Sequence, residues 1–122
     1  MQRADLTITT NADGDGIGYI GQVLNGHIWT IRYVKDDYDN GVGVVISGET
    51  SGIEILTLAA MNASVTKNPR GNAHEIADGT DSEYTGQDQP VKVLIPLANE
   101  RIKVVVSAGG DTKSGMFHFW IG

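Results

Sequence analysis

The amino-acid sequence predicts an all-β fold, a single β-sandwich domain over residues 1–122. Sixteen glycines stand against three prolines, and Val, Ile and Thr, which favour strands, are frequent. No segment shows the three- and four-residue apolar spacing of an amphipathic helix. About seven or eight short apolar segments are instead separated by turn signals roughly every eight to twelve residues, a pattern typical of β-sandwiches, the jelly roll among them.

Five strands are predicted in the first half of the chain. They cover residues 6–10, 17–23, 27–34, 43–47 and 53–58. The pair Asn25-Gly26 predicts a tight hairpin turn, because both residue types tolerate positive φ. The Asp-Gly pairs of residues 11–16 and the acidic stretch 35–41 predict loops.

Residues 59–90 interrupt the strand pattern. This polar excursion is rich in Asn, Asp, Gly, Ser and Thr and has few large apolar side chains. Loops of this length are uncommon inside compact domains and usually serve a function. We predict a short strand at 63–66, a turn at residues 68–70 and a flexible arm that extends to Gln89.

The last part of the chain is predicted to form the core. A strand at 91–95 and a tight connection at 96–100 lead into a terminal hairpin, whose two strands are joined by the glycine-rich turn 108–113. The return strand, 116–121, is apolar on both faces, so its second face is expected to meet another part of the chain or another protein. One face consists of Phe117, Phe119 and Ile121, and the other of Met116, His118 and Trp120.

Charge and composition restrict the classes of partner. The formal net charge is −6 and the nine Lys and Arg residues are scattered, which argues against a nucleic-acid surface, since phosphate contacts need clustered cations. The absence of Cys excludes disulfides and thiolate metal sites. No apolar stretch has the length of a signal peptide core or a membrane span. We therefore expect a soluble protein made in the host cytoplasm, with no membrane partner.

One loop has the residue types of a cation site. Asn11, Asp13 and Asp15, followed by Gly16, resemble the opening of a calcium loop, in which alternate oxygens converge on the ion. The twelfth position is Gln22 instead of a bidentate Glu, and strands flank the loop. Asp-Gly pairs also occur in ordinary β-turns. The loop is interpreted either as a candidate calcium site or as a plain turn. No cofactor is expected.

Catalytic signatures are lacking in the sequence. The three histidines, at 27, 74 and 118, are dispersed, and no Gly-x-Ser-x-Gly nucleophile motif occurs. A domain of 122 residues has little room for a deep cleft, so we do not expect an enzyme. Trp29, Ile31 and Tyr33 are predicted to share one strand face, which is either a carbohydrate platform or part of the core.

Four stretches of the chain carry a resemblance to a known group of proteins. They are 6–10 with the Asp-Gly turn that follows, 31–34 before the acidic loop, 53–58 followed by 68–70, and 95–106 with 110–122. Together they resemble the small, cysteine-free β-proteins encoded among the virion structural genes of tailed bacteriophages. The similarity covers nearly the whole chain, and its motifs are structural.

Among such virion proteins, a capsid decoration (cement) protein is most similar in size and β-sandwich character. The resemblance implies a homotrimer on the outer surface of the capsid that contacts the major capsid protein. The alternatives are a neck, tail or baseplate component, and a carbohydrate or host-surface binding module built on Trp29, Tyr33 or Trp120. The expected contact residues are Asn68, Pro69, Arg70 and Tyr84 for the capsid, and Met116 and Trp120 for self-association.

Overall fold

The computed structural model describes residues 2–20, 23–72, 83–84, 89–90 and 92–122, and these residues form strands, turns and loops without any helix. Two antiparallel sheets pack together, which confirms the predicted all-β sandwich. The strands are β1 (Gln2–Thr9), β2 (Gly16–Tyr19), β3 (Leu24–Val34), β4 (Val42–Gly48), β5 (Glu54–Met61), β6 (Val65–Lys67), β7 (Arg70–Asn72), β8 (Glu83–Tyr84), β9 (Gln89–Pro90), β10 (Lys92–Glu100), β11 (Ile102–Ser107) and β12 (Ser114–Ile121).

The first sheet has the strand order β1-β12-β3-β10-β7, and β6 also pairs with β3. Strand β3 is long enough to take two neighbours on one edge: β10 pairs with its residues 24–28 and β6 with its residues 31–33. The second sheet has the order β2-β11-β4-β5, and β8 pairs with β9 as a separate ribbon.

Alternating side chains of the two sheets form the core. Phe117 and Phe119 of β12 and Val104 and Val106 of β11 have no exposed surface, as the period of two along each strand requires. Burial of each large apolar side chain contributes about 1.5–3 kcal/mol relative to exposure. The two faces predicted for 116–121 are thus confirmed, and the face with Phe117, Phe119 and Ile121 is the buried one.

The predicted terminal hairpin is wrong. Strand β11 pairs with β2 and β4 in the second sheet, whereas β12 pairs with β1 and β3 in the first. The glycine-rich residues 108–113 form an arch between the sheets, and the amide of Gly109 donates to the carbonyl of Gly14 at 2.9 Å. Both strands direct an apolar row into the core between the sheets, one from each sheet, whereas a hairpin would place both rows in the same sheet.

The predicted hairpin turn at Asn25-Gly26 is also wrong, because both residues lie inside β3. Gly26 keeps a positive φ of 120° there, and the Oδ1 atom of Asn25 accepts a hydrogen bond from the amide of Asn99 at 2.9 Å. The side chain that suggested a turn instead connects β3 to the end of β10.

Strand β10 continues through Pro96, where the sequence predicted a break. Its partner in β3, His27, directs its amide and carbonyl towards Gly122, at 2.7 and 2.9 Å. The Pro96 position thus needs no donor towards β3, and its other side lies beyond the last residue paired with β7, Leu94. The missing N–H of proline is tolerated at such an edge position.

The excursion at 59–90 is only partly described. Strand β5 extends to Met61, the short strand predicted at 63–66 is β6, and Arg70 begins β7 after the turn predicted at 68–70. The predicted flexible arm falls largely on residues 73–82 and 85–88, which lie outside the described residues.

Candidate functional site

The outer face of the first sheet brings together side chains from four strands. Strand β12 lies between β1 and β3, so that Trp120 is flanked by Arg3 on one side and by Thr30 on the other. Met116, His118 and Trp120, the second apolar face predicted for this strand, point outward and are half-buried. The second sheet packs on the opposite, inner face, where Phe117 and Phe119 are buried.

A polar row crosses this face at right angles to the strands. It runs from Asp5 through His118 and Arg32 to Thr66, which are paired in register. The His118 Nδ1 atom lies 2.7 Å from the Asp5 Oδ1 atom, and the Arg32 Nη1 atom donates to the Thr66 Oγ1 atom at 3.1 Å. The hydrogen bond from His118, assisted by the positive charge of Arg3, holds the pKa of the Asp5 carboxyl below its ordinary value. The Asp5 carboxylate is therefore already engaged within the row.

A cleft of about 300 Å³ opens beside this row. We call it the indole cleft, because both tryptophans of the chain contribute to it. Trp29 is 38% exposed. Two hydroxyls and one guanidinium complete its wall, and the lining consists of Trp29, Thr30, Arg32, Thr66 and Trp120. The cleft thus combines two aromatic rings with a small set of polar groups, as small-molecule sites do.

A β-bulge places Trp29 in the cleft. Trp120 pairs with Thr30 but the next residue, Ile121, pairs with Ile28, so Trp29 is the extra residue of β3. A bulge changes the alternation of side chains locally and can redirect one of them. Ile31 and Tyr33 are buried in the core with at most 1% exposure. The predicted platform of Trp29, Ile31 and Tyr33 on one face is consequently wrong, and Trp120 takes the place of Tyr33 as the second exposed ring.

Residues 68–70 contact two of the residues that line the cleft, Trp29 and Thr30. The Thr30 Oγ1 atom donates to the Asn68 Oδ1 atom at 2.8 Å. The Arg70 Nη1 atom donates to the carbonyls of Trp29 (3.0 Å) and Pro69 (2.7 Å), and its guanidinium carbon lies 6.0 Å from the Trp29 ring centroid. A cation over an indole face is attracted by the ring quadrupole. The predicted contact segment Asn68–Arg70 therefore borders the same face as Met116 and Trp120.

Pro69 does not join this surface as an exposed group, and Tyr84 belongs to a strand outside both sheets. Pro69 is buried and takes part through its carbonyl. Tyr84 lies in β8 and pairs with Gln89, in the ribbon outside both sheets. A contact of Tyr84 with the capsid stays a prediction.

The second sheet exposes an apolar stripe that the sequence analysis missed. Ile17, Val105 and Val45 are direct neighbours across β2, β11 and β4, and Ile17 and Val45 are 60% and 42% exposed. We call these three residues the apolar stripe. The signal was present in the sequence, since 44–46 and 104–106 are apolar at every position, the same property that marked 116–121.

The calcium candidates form a self-contained turn. The Asn11 Oδ1 atom accepts hydrogen bonds from the amides of Asp13 (2.9 Å) and Asp15 (3.1 Å), so this oxygen points towards the backbone of its own loop. In the part of the chain that the structure describes, no three His, Asp or Glu side chains are grouped to hold a metal ion. The hydrogen bonds of Asn11 favour the plain turn.

No family model, no curated protein and no solved structure matches the chain. Among the described residues there is also no helix that is long and apolar enough to cross a membrane.

Proposed function

We propose that the chain is a non-catalytic virion structural protein, a decoration (cement) subunit of a tailed-bacteriophage capsid. The observation that carries this proposal is the presence of outward apolar side chains on both sheets. The apolar stripe lies on the second sheet, and Met116 and Trp120 lie on the first. A sandwich needs one buried face per sheet for its own stability, so the outward apolar groups are surplus to the core.

The apolar stripe is suited to contact with another protein. Its three side chains lie side by side on adjacent strands, and contiguous apolar surface of this kind commonly marks a protein interface. The polar neighbours Ser47 and Thr57 border the stripe on β4 and β5, which resembles the polar rim around an interface core. We assign this face to the contact with the major capsid protein.

The outer face of the first sheet then provides the second surface, which in a decorating subunit faces neighbouring copies or the medium. Each contact in a shell needs only modest affinity, because many copies bind together and multivalency strengthens the whole. The net charge of −6 supports solubility of the free subunit before it binds. Homotrimer formation through Met116 and Trp120 belongs to the same proposal.

The test is co-sedimentation with capsids assembled from the major capsid protein of the same genome. We expect the wild-type chain to sediment with the shells and Val45→Asp to remain in the supernatant, because a charge in the stripe must be desolvated on binding. Val93→Asp, at an equally exposed valine (43%) on β10 of the first sheet, is the matched control and should still bind. Failure of the wild-type chain to sediment with shells would overturn the proposal, and particle images that place it in a neck or tail ring would favour that alternative.

A further inference from the structure

We propose that the indole cleft binds a saccharide ring that carries a carboxylate, of the uronic or sialic acid class. The site is separate from the apolar stripe: the cleft lies on the outer face of the first sheet, and the stripe on that of the second. The inference is therefore independent of the capsid contact proposed for the stripe, whereas a self-contact through Trp120 would compete with the saccharide for the cleft.

The two tryptophans supply the apolar part of the site. Trp29 and Trp120 line a cleft of about 300 Å³, which is at the small end of the range for ligand sites and suits one or two rings. A pyranose has faces of C–H groups that pack against an aromatic ring while its hydroxyls stay in contact with polar groups or water. An indole likewise combines large apolar area with a rigid side chain.

Arg32 supplies the group that selects an acid. Its only hydrogen bond in the described chain is donated by Nη1 to Thr66 Oγ1, and no carboxylate among the described residues lies within ion-pair distance of it. A guanidinium has five N–H donors in a planar fork, so several remain for a ligand. Arginine binds carboxylates with two parallel hydrogen bonds, which a neutral sugar cannot accept in the same way.

The charge of the surrounding face agrees with an anionic ligand. The chain as a whole carries −6, yet the strands of the first sheet hold only two carboxylates, Asp5 and Glu100. Glu100 is only 3% exposed, and Asp5 is engaged by His118 and Arg3. Arg3, Arg32 and Arg70 all stand on or beside this face. A locally positive surface on an acidic protein favours association with an anion.

The position of the cleft on a sheet face favours a saccharide over an acidic peptide. Peptides commonly bind sheets by adding a strand to a free edge through main-chain hydrogen bonds. At the cleft, β3 lies inside the sheet, paired with β12 at residues 30–34 and with β6 at residues 31–33, so it offers no free edge for strand addition. A saccharide needs only the side chains that line the cleft, with the Thr30 and Thr66 hydroxyls available as acceptors or donors.

The experiment is a titration with methyl β-D-glucuronide and its neutral counterpart methyl β-D-glucoside, which differ at one carbon. Both tryptophans of the chain line the cleft, so indole fluorescence reports this site directly. We expect a saturable change with the glucuronide, and an affinity roughly 10-fold or more above that for the glucoside, the effect of a hydrogen bond to a charged group. N-acetylneuraminate is the second acidic probe.

Two variants test whether Arg32 causes the preference for the acidic sugar. Arg32→Gln keeps a donor for Thr66 and should reduce the affinity for the acidic sugar to that for the glucoside. Arg101→Gln removes an arginine at the start of β11 and should leave the preference unchanged, and thermal unfolding verifies that both variants are folded. Equal affinity of the wild type for the two glycosides, no saturable signal with either acid, or a preference that survives Arg32→Gln would overturn the proposal. Stronger binding of a glutamate-rich peptide than of the glucuronide would also overturn it, in favour of an acidic protein partner.

Discussion

Tyr33 and Tyr38 stack in the core with their ring centroids 6.5 Å apart, but only one of the two hydroxyls is hydrogen-bonded. The Tyr38 Oη atom donates to the carbonyl of Ile8 at 2.6 Å, whereas the buried Tyr33 Oη atom has no partner among the described residues. Burial raises the pKa of Tyr33 to about 12 and raises the pKa of Tyr38 as well. Both rings are therefore neutral core side chains rather than acid or base groups.

The two tyrosines should respond oppositely to loss of the hydroxyl. Tyr38→Phe leaves the Ile8 carbonyl without its donor and should lower the free energy of unfolding by about 1–2 kcal/mol. Tyr33→Phe removes an unpaired buried polar group and should be neutral or stabilising by about 1 kcal/mol. Denaturant unfolding of both variants measures the difference, and a clear loss of stability in Tyr33→Phe would show that its hydroxyl has a partner after all.

The ring of Tyr38 leaves no room for a side chain at position 115. A Cβ atom at this position would overlap the Tyr38 ring, and the ring is held by its hydrogen bond to Ile8. Gly115→Ala should destabilise the fold by about 1–3 kcal/mol, the usual cost of overpacking. In the matched control Gly71→Ala, the new Cβ would meet a described atom, Ile95 Cγ1, at 3.8 Å, which is ordinary contact. An equal thermal midpoint for the two variants would contradict this account of Gly115.

The hydrogen bonds of the Glu100 carboxylate should make a pH-dependent contribution to the stability of the fold. Its side chain, in a residue only 3% exposed, accepts hydrogen bonds from the amides of Thr50 (3.1 Å) and Ser51 (3.0 Å) and from the Ser51 hydroxyl (3.1 Å). The Ser51 amide is the largest cause that lowers the pKa of Glu100 below its ordinary value of 4.5. Since the carboxylate is favoured in the folded state, its contribution is complete above the ordinary pKa and is lost as the pH falls through the lowered one.

The variant Glu100→Gln should therefore be about 1–3 kcal/mol less stable than the wild type at pH 7. The difference should shrink in acid, once the wild-type carboxyl is protonated, and chemical unfolding at pH 7 and at about pH 3 compares the two. The exposed Glu54→Gln on β5 is the control and should change stability by less than about 0.5 kcal/mol. A difference between Glu100→Gln and wild type that is the same at both pH values would contradict the proposed role of the charge.

Self-association should depend on the outward face of β12. If copies of the chain assemble through Met116 and Trp120, Trp120→Asp introduces an unpaired charge into that contact and should give monomers in light scattering. Thr7→Asp, at the position of β1 paired with Met116, tests whether any charge near this face is sufficient. Assembly that persists in Trp120→Asp but is lost in Val45→Asp would transfer the self-contact to the apolar stripe.

The sequence predicted only part of the candidate site. The apolar character of both faces of 116–121 was visible in the sequence, and the structure does direct Met116 and Trp120 outward. The prediction that Trp29 shares a face with Ile31 and Tyr33 was wrong, because the bulge at Trp29 changes the alternation that the pattern assumes. Bulges arise from the register between paired strands, and a single strand's residues do not reveal that register.

By itself, the sequence determined that this chain is built of strands, that the acidic stretch 35–41 is a loop, and that Phe117, Phe119 and Ile121 share one face of their strand. These properties follow from local periodicity, because side chains alternate between the two faces of any strand. Only the tertiary structure decided that β11 and β12 belong to opposite sheets, that Gln2 pairs with Ile121, and that Trp29 meets Trp120 across a cleft. An alternating pattern states which face is buried but not which strand lies beside it, and that choice depends on contacts between residues far apart in the chain.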